Sequence, residues 1–162
     1  MPENTRLSGS IAQFDLDFVE REATPRVLMK LSIQLHLAEL SLSNTVSILE
    51  IFGVQRARST VHNWVRKADL QPANGHEPNH VAVDETVIQL NDEQYWLYAA
   101  VDPETNEFLH VKLCLTRTTQ LTVHFLRELK QKVPVTQATI LVDDAHHLKA
   151  ALSRLGFRFQ IR

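Results

Sequence analysis

Apolar positions change their period near residue 75, and the change divides the chain in two. Upstream, Val27, Leu28, Leu31 and Leu35 recur at helical spacing up to about Leu40. Thr24-Pro25 supplies a start signal: a capping hydroxyl, then proline at the first helical position, where its missing N–H is no loss. A second helix is predicted from a Ser43 cap through Val46 and Leu49 to Phe52-Gly53. A third runs from about Ala57 to Ala68, with Ala57, Val61, Trp64, Val65 and Ala68 on its inner face. The stretch from Gln71 to Asn79 holds Pro72, Gly75 and Pro78 among polar residues and reads as a linker.

After His80 the pattern becomes that of strands. Apolar runs cover 81–90, 95–101 and 108–115, separated by the turn-formers Asn91-Asp92-Glu93 and Asp102-Pro103-Glu104-Thr105-Asn106. Such separators favour an antiparallel three-strand meander. Leu121, Phe125, Leu126 and Leu129 then predict a helix ending before Pro134, and 138–142 a short strand. Leu148, Ala151, Leu152 and Leu155 mark another helix, closed by Gly156, and Phe157, Phe159 and Ile161 alternate as a last strand. The order is βββαβαβ, so the fold class is α+β or α/β. The segments expected are an N-terminal piece 1–24, a helical unit 25–70, a linker 71–80 and a mixed-sheet domain 81–162.

Composition narrows the class. Of 162 residues, 44% are hydrophobic and 22% charged, as in ordinary globular proteins. No apolar run approaches the roughly 20 residues that cross a bilayer, and Met1-Pro2-Glu3-Asn4 lacks the start of a secretory signal. The single cysteine, Cys114, lies in an apolar run and is expected buried and reduced. A cytoplasmic location follows, nucleoid-associated if DNA is bound. The net charge of −2 hides an asymmetry: residues 1–24 hold Glu3, Asp15, Asp17, Glu20 and Glu22 against Arg6 and Arg21, whereas 55–70 hold Arg56, Arg58, Arg66 and Lys67 against Asp69.

That basic stretch belongs to the second and third helices, which with Gly53 between them have the arrangement of a helix-turn-helix. The inward residues leave Arg58, Ser59, His62, Asn63 and Arg66 on the outer side, and Arg58, His62 and Arg66 are spaced by four. Arginine reads guanine edges or grips phosphates, and asparagine pairs with adenine. A three-helix packing unit with a solvated basic face explains the same pattern.

The other constellation is acidic. Asp84 follows Val81-Ala82-Val83, and Asp143, 59 positions on, follows Ile140-Leu141-Val142. In a βββαβαβ sheet the first and fourth strands can be neighbours, and two carboxylates there would repel unless a divalent cation sat between them. All-oxygen ligation suits magnesium or manganese. The plainer reading makes Asp84 a strand-edge residue and Asp143 or Asp144 a helix cap; for Asp144 the cap is preferred. Glu85, alternating to the side opposite Asp84, reads as surface or cap chemistry, and Asp102 as a turn residue. Trp64 and Trp96 read as core, and Lys112 and Arg117 as solvated or phosphate-facing. His76, His80, His146 and His147 lack the neighbours a zinc site needs.

Val83-Asp84-Glu85-Thr86, followed by Tyr95-Trp96-Leu97-Tyr98-Ala99-Ala100-Val101-Asp102, resembles the first catalytic strand and hairpin of DDE transposases from compact bacterial and archaeal insertion sequences, in particular insertion-sequence family six and its haloarchaeal members. Ser59-Thr60-Val61-His62-Asn63-Trp64-Val65 is similar to the second helix of their DNA-binding domain. Leu141-Val142-Asp143-Asp144-Ala145 is similar to the region of their second catalytic aspartate. The resemblance runs from about Leu31 onward. It implies a ribonuclease H-like core that cuts and rejoins DNA at element ends by metal-dependent phosphoryl transfer. Asp84, Asp143 and a later glutamate would hold two Mg²⁺ (or Mn²⁺) ions. It also implies double-stranded DNA at terminal inverted repeats as partner and a homo-oligomer on that DNA. The glutamate belongs on a helix beyond the last strand, and 145–162 contain no Asp or Glu. The expectation is therefore an incomplete core, a truncated copy with impaired catalysis. The alternative is a non-catalytic DNA-binding remnant that interferes with an intact transposase. A regulator whose β-rich part binds a small molecule ranks last, since no phosphate-binding glycine loop is present.

Overall fold

Three helices open the well-packed part of the chain in a computed structural model that describes residues 5–9, 16, 23–70 and 77–162. They are α1 (Arg26–Leu37), α2 (Leu42–Ile51) and α3 (Arg58–Ala68). Pro25 is itself the residue before α1, one position later than the sequence suggests. Ser41, not Ser43, caps α2: its hydroxyl accepts from the Asn44 backbone N–H at 3.0 Å. Gly53, at φ 88°, turns the chain out of α2 in a conformation that costs a side-chain-bearing residue strain. On α3, Val61 and Trp64 are buried as expected, while Ala57 lies exposed just ahead of the helix. Most of the expected linker, residues 71–76, lies outside the described residues, as do most of residues 1–24.

The sheet contains β1 (Arg6–Gly9), β2 (His80–Leu90), β3 (Glu93–Val101), β4 (Phe108–Cys114), β5 (Thr139–Val142) and β6 (Arg158–Ile161). Helices α4 (Thr119–Lys132) and α5 (His146–Leu155) connect the later strands. From β2 onward the order is βββαβαβ, as the pattern predicts. The spatial order is β4-β3-β2-β5-β6, with β1 also paired to β2. The strands β2, β3 and β4 form the antiparallel meander; β5 runs parallel to β2, and β6 parallel to β5. The sheet is mixed because hairpin turns join its first three strands whereas helical crossovers join the rest.

Alternation along β2 assigns its two faces. Val81 and Val83 pack with Tyr98, Phe125, Leu126, Leu129, Ile140 and Leu148 beneath α4 and α5. Ile88 points the other way and shares a cluster with Leu31, Leu49, Val61 and Trp64 of α1–α3. Each such large apolar side chain contributes about 1.5–3 kcal/mol relative to exposure. Cys114 is a buried free thiol, as expected. Trp96 is only partly buried, and Leu115 falls just past β4, 72% exposed. No helix among the described residues is long and apolar enough to cross a membrane.

Candidate metal-binding active site

One edge of β2 has two partners. Residues 80–82 pair with β5, and residues 86–89 with β1, so Val83, Asp84 and Glu85 lie where one neighbour gives way to the other. Crevices where strands part are where open mixed sheets place their chemistry. Ala82 is opposite Leu141, and Asp84 and Asp143 each stand two residues beyond that pair. In parallel strands, equal steps from a matched pair point to the same face. The two aspartates therefore share one face at one point of the sheet, the side that carries α1–α3.

Their surroundings differ. Asp143 is exposed, and its Oδ1 accepts from the Ala145 backbone N–H at 3.0 Å, which fixes the turn into α5. The Asp84 side chain is only 16% exposed. Burial pushes its carboxyl above the usual 3.8, and the neighbouring charges of Asp143 and Glu85 push the same way. Against these stands one cation: Arg162 Nη2 donates to Asp84 Oδ2 at 3.0 Å. The Arg162 backbone N–H, donating to Val142 O at 2.9 Å, carries the chain past β6 alongside Asp143. A guanidinium thus occupies the ground a bound cation would need.

Glu85 corrects the sequence reading. It is no surface or capping group: its side chain is 9% exposed on the α4/α5 face. Its Oε1 accepts from Arg117 Nη1 at 2.9 Å, and Oε2 lies 3.1 Å from His147 Nε2. It thereby ties the middle of β2 to the loop before α4 and to the first turn of α5. Period-two alternation from Val81 and Val83 points to that inward placement; its partners, 32 and 62 positions away, no local signal reveals. Nearby, the Tyr98 hydroxyl sits 3.3 Å from Thr122 Oγ1, and burial pushes its pKa up to about 12, so it stays protonated. Asp144 is not the α5 cap either: the residue before α5 is Ala145, and Asp144, well exposed, pairs with Lys149 at 2.6 Å. Asp102 is buried in its turn, accepting from the Glu104 N–H.

The residues expected to face DNA lie on one side of α3. Arg58, Ser59, His62, Asn63 and Arg66 are all exposed. Arg58, Ser59 and His62 line a concavity of about 600 Å³ with Ser41, Leu42 and Ser43, and Arg58 Nη1 donates to Ser43 Oγ at 3.4 Å. Lys112 and Arg117, by contrast, are taken up by Glu128 at 2.6 Å and Glu85 at 2.9 Å.

Two hard carboxylates, one on β2 and one just past the end of β5, fit a magnesium or manganese ion better than zinc. No group of three His, Cys, Asp or Glu side chains among the described residues could by itself hold a metal. His147 is committed to Glu85, and His76 lies outside the described residues.

The site is thus a pair of aspartates at a parting of strands in a mixed sheet. Residues 79–160, 82 of the 162, match the model of the DDE domain found in transposases, and the chain belongs to that DDE family. It is also 32% identical over 84 residues to an uncharacterized protein of Methanocaldococcus jannaschii; the match covers 52% of this chain and 39% of that protein. Two solved assemblies contain chains of related outline. One is the simian T-cell lymphotropic virus intasome in complex with PP2A regulatory subunit B56 gamma (13% identity, TM-score 0.42, covering 83% of this chain and 51% of that one). The other is the Mos1 strand transfer complex (12% identity, TM-score 0.41, covering 94% and 62%). The chain thus spans less than two thirds of each of these proteins.

Proposed function

We propose that this chain is the DNA-binding and partial catalytic portion of an insertion-sequence transposase of family six, with a ribonuclease H-like core. The observation that carries the reading is that the β2–β5 pairing, ending with Ala82 opposite Leu141, leaves Asp84 and Asp143 each two residues beyond it, close enough for the charge of Asp143 to act on Asp84. Asp84 and Asp143 would hold the divalent ions, Mg²⁺ or Mn²⁺, that serve this family. When bound, such ions activate an attacking oxygen and stabilise the leaving one in phosphodiester exchange. The protein's own part is to hold one carboxylate on β2 and the other in the turn just past β5, and to offset the repulsion between them. Glu85, braced by Arg117 and His147, fixes the seat of α5 and so the turn that presents Asp143. The helices α2 and α3 act as a helix-turn-helix, with Arg58, Ser59, His62, Asn63 and Arg66 toward the terminal inverted repeats of double-stranded DNA, and the protein works as a homo-oligomer there.

A second reading has its own support. Arg162 stands on Asp84, which favours a DNA-binding form that cleaves nothing and interferes with an intact transposase in mixed oligomers. Purified protein, labelled element-end duplex and Mg²⁺ or Mn²⁺ separate the two. Cleavage that disappears in Asp84→Ala supports the enzyme; sequence-preferring retention with no cleavage supports the second. Unchanged affinity in Arg58→Ala and Arg66→Ala would overturn the assignment of the α3 face.

A further inference from the structure

The charges of this chain are unevenly divided. From Lys112 to Arg162 there are nine Lys and Arg against three Asp and Glu, whereas upstream there are eight against sixteen. The last third thus carries a net +6 inside a protein of net −2. Of its five arginines, Arg117 pairs with Glu85, Arg162 pairs with Asp84, and Arg158 donates to Gln137. The remaining two, Arg127 on α4 and Arg154 on α5, are exposed and make no ion pair or hydrogen bond among the described residues. Both line the same cleft, of about 900 Å³, together with Thr116, Thr119, Gln120 and His124. No carboxylate lines it.

Two unpaired guanidiniums facing one concavity repel each other, and an anion entering between them relieves that repulsion. The planar donor fork of arginine suits phosphate oxygens in particular. The cleft offers hydroxyl and amide groups and the His124 imidazole, but no Phe, Tyr or Trp on which a base could stack. A contact of that composition grips phosphate without reading sequence. We infer that the α4–α5 cleft, through Arg127 and Arg154, binds the phosphodiester backbone of DNA as a contact separate from α3. It lies on the α4/α5 side of the sheet, whereas α1–α3 pack on the other, so it adds to whatever the α3 face binds. This inference rests on the DNA-binding reading above.

The test is duplex binding followed by fluorescence anisotropy across a salt series, using wild type, Arg127→Gln, Arg154→Gln and the double variant. Each phosphate contact contributes roughly 0.9 to the slope of log affinity against log salt. The double variant is expected to flatten that slope by about 2 and to weaken element-end and random duplexes by the same factor. Both side chains are exposed, so circular dichroism should be unchanged. An unaltered slope overturns the inference. So does thermal stabilisation by millimolar inorganic phosphate at constant ionic strength, lost in the double variant while the duplex slope stays put, which would assign the cleft to a free anion. Wild-type protein that binds no duplex at all sinks the functional reading itself. Duplex binding that depends on Arg58 and Arg66 but ignores Arg127 and Arg154 sinks the cleft alone.

Discussion

Asp84 and Asp143 are 59 positions apart in the chain, and 59 is also the offset by which β5 is matched to β2, from His80 against Thr139 to Ala82 against Leu141. Their juxtaposition is thus a matter of strand register. A slip of one residue would send Asp143 to the opposite face and part the pair. The alternation along β5 resists such a slip, because Ile140 and Val142 fill the core under α5 while Leu141 between them is only partly buried.

Asp84 is held at a cost to folding, since its buried carboxylate is only partly offset by Arg162. Asp84→Asn, nearly isosteric and uncharged, is expected to leave the melting temperature in chelator unchanged or raised; each kcal/mol recovered corresponds to about 2–4 °C at this chain length. Added Mn²⁺ should stabilise wild type and not the variant. A melting temperature several degrees below wild type in chelator would contradict this account.

A divalent cation held by Asp84, as proposed, would compete with Arg162 for the same oxygen. The Arg162 side chain is 45% exposed, so its pair with Asp84 is worth about 0.2–1 kcal/mol. Arg162→Ala should therefore tighten Mn²⁺ binding, measured by calorimetry, by up to about fivefold. Weaker binding in the variant would show that Arg162 supports the ion site instead of competing for it.

Loss of the Glu85 brace should be felt at Asp143. Glu85→Ala strips Arg117 and His147 of their partner and is expected to destabilise by about 1–2 kcal/mol, discounted because Arg117 is half-exposed. Urea titration measures that loss. Glu85→Gln, which keeps an oxygen for Arg117, should recover part of the stability. In calorimetry the Ala variant should bind Mn²⁺ more weakly, even where urea shows it fully folded. Equal Mn²⁺ affinity in folded Ala variant and wild type would limit Glu85 to a packing role.

Acid should weaken the fold in two windows. His110 is stacked on Phe125 at 4.8 Å, and Lys132 Nζ lies 2.9 Å from its Nδ1. Burial, reinforced by the charge of Lys132, holds its pKa below the ordinary 6.5. The unfolded chain then binds the proton more readily, so stability falls as pH drops from 6.5 toward the lowered value. Glu128 behaves in the usual carboxylate sense. Burial pushes its pKa up, but the Lys112 hydrogen bond and charge, with help from His110 and His124, bring it below 4.5. Its contribution is present above 4.5 and disappears as pH falls through the lowered value. Urea titrations from pH 4 to pH 8 on wild type and His110→Gln check the first window; the variant should show a flatter profile just below 6.5.

Much of the frame was legible because it is written locally. The meander follows from two turn-forming separators, and Gly156, at φ 75°, ends α5 where the pattern ends it. The strand β1 was not legible: Arg6-Leu7-Ser8-Gly9 has one apolar residue and becomes a strand only because β2 offers it an edge. The choice between Ser41 and Ser43 as cap turned on which hydroxyl meets a free backbone N–H, and Ser41 meets Asn44. At the site, the aspartates could be picked out by their place after buried runs. The groups that face them and Glu85 could not, because Arg117, His147 and Arg162 reach their partners across 32, 62 and 78 positions.

The far half of β2 depends on four residues near the start of the chain for its hydrogen bonding along one side, from Thr86 to Gln89. Shortening the protein past Gly9 would leave that stretch with bare amides and carbonyls, ready to recruit a strand from another molecule. Such a version should self-associate in solution, and N-terminal trimming would then alter behaviour some distance from the acidic pair without touching either aspartate.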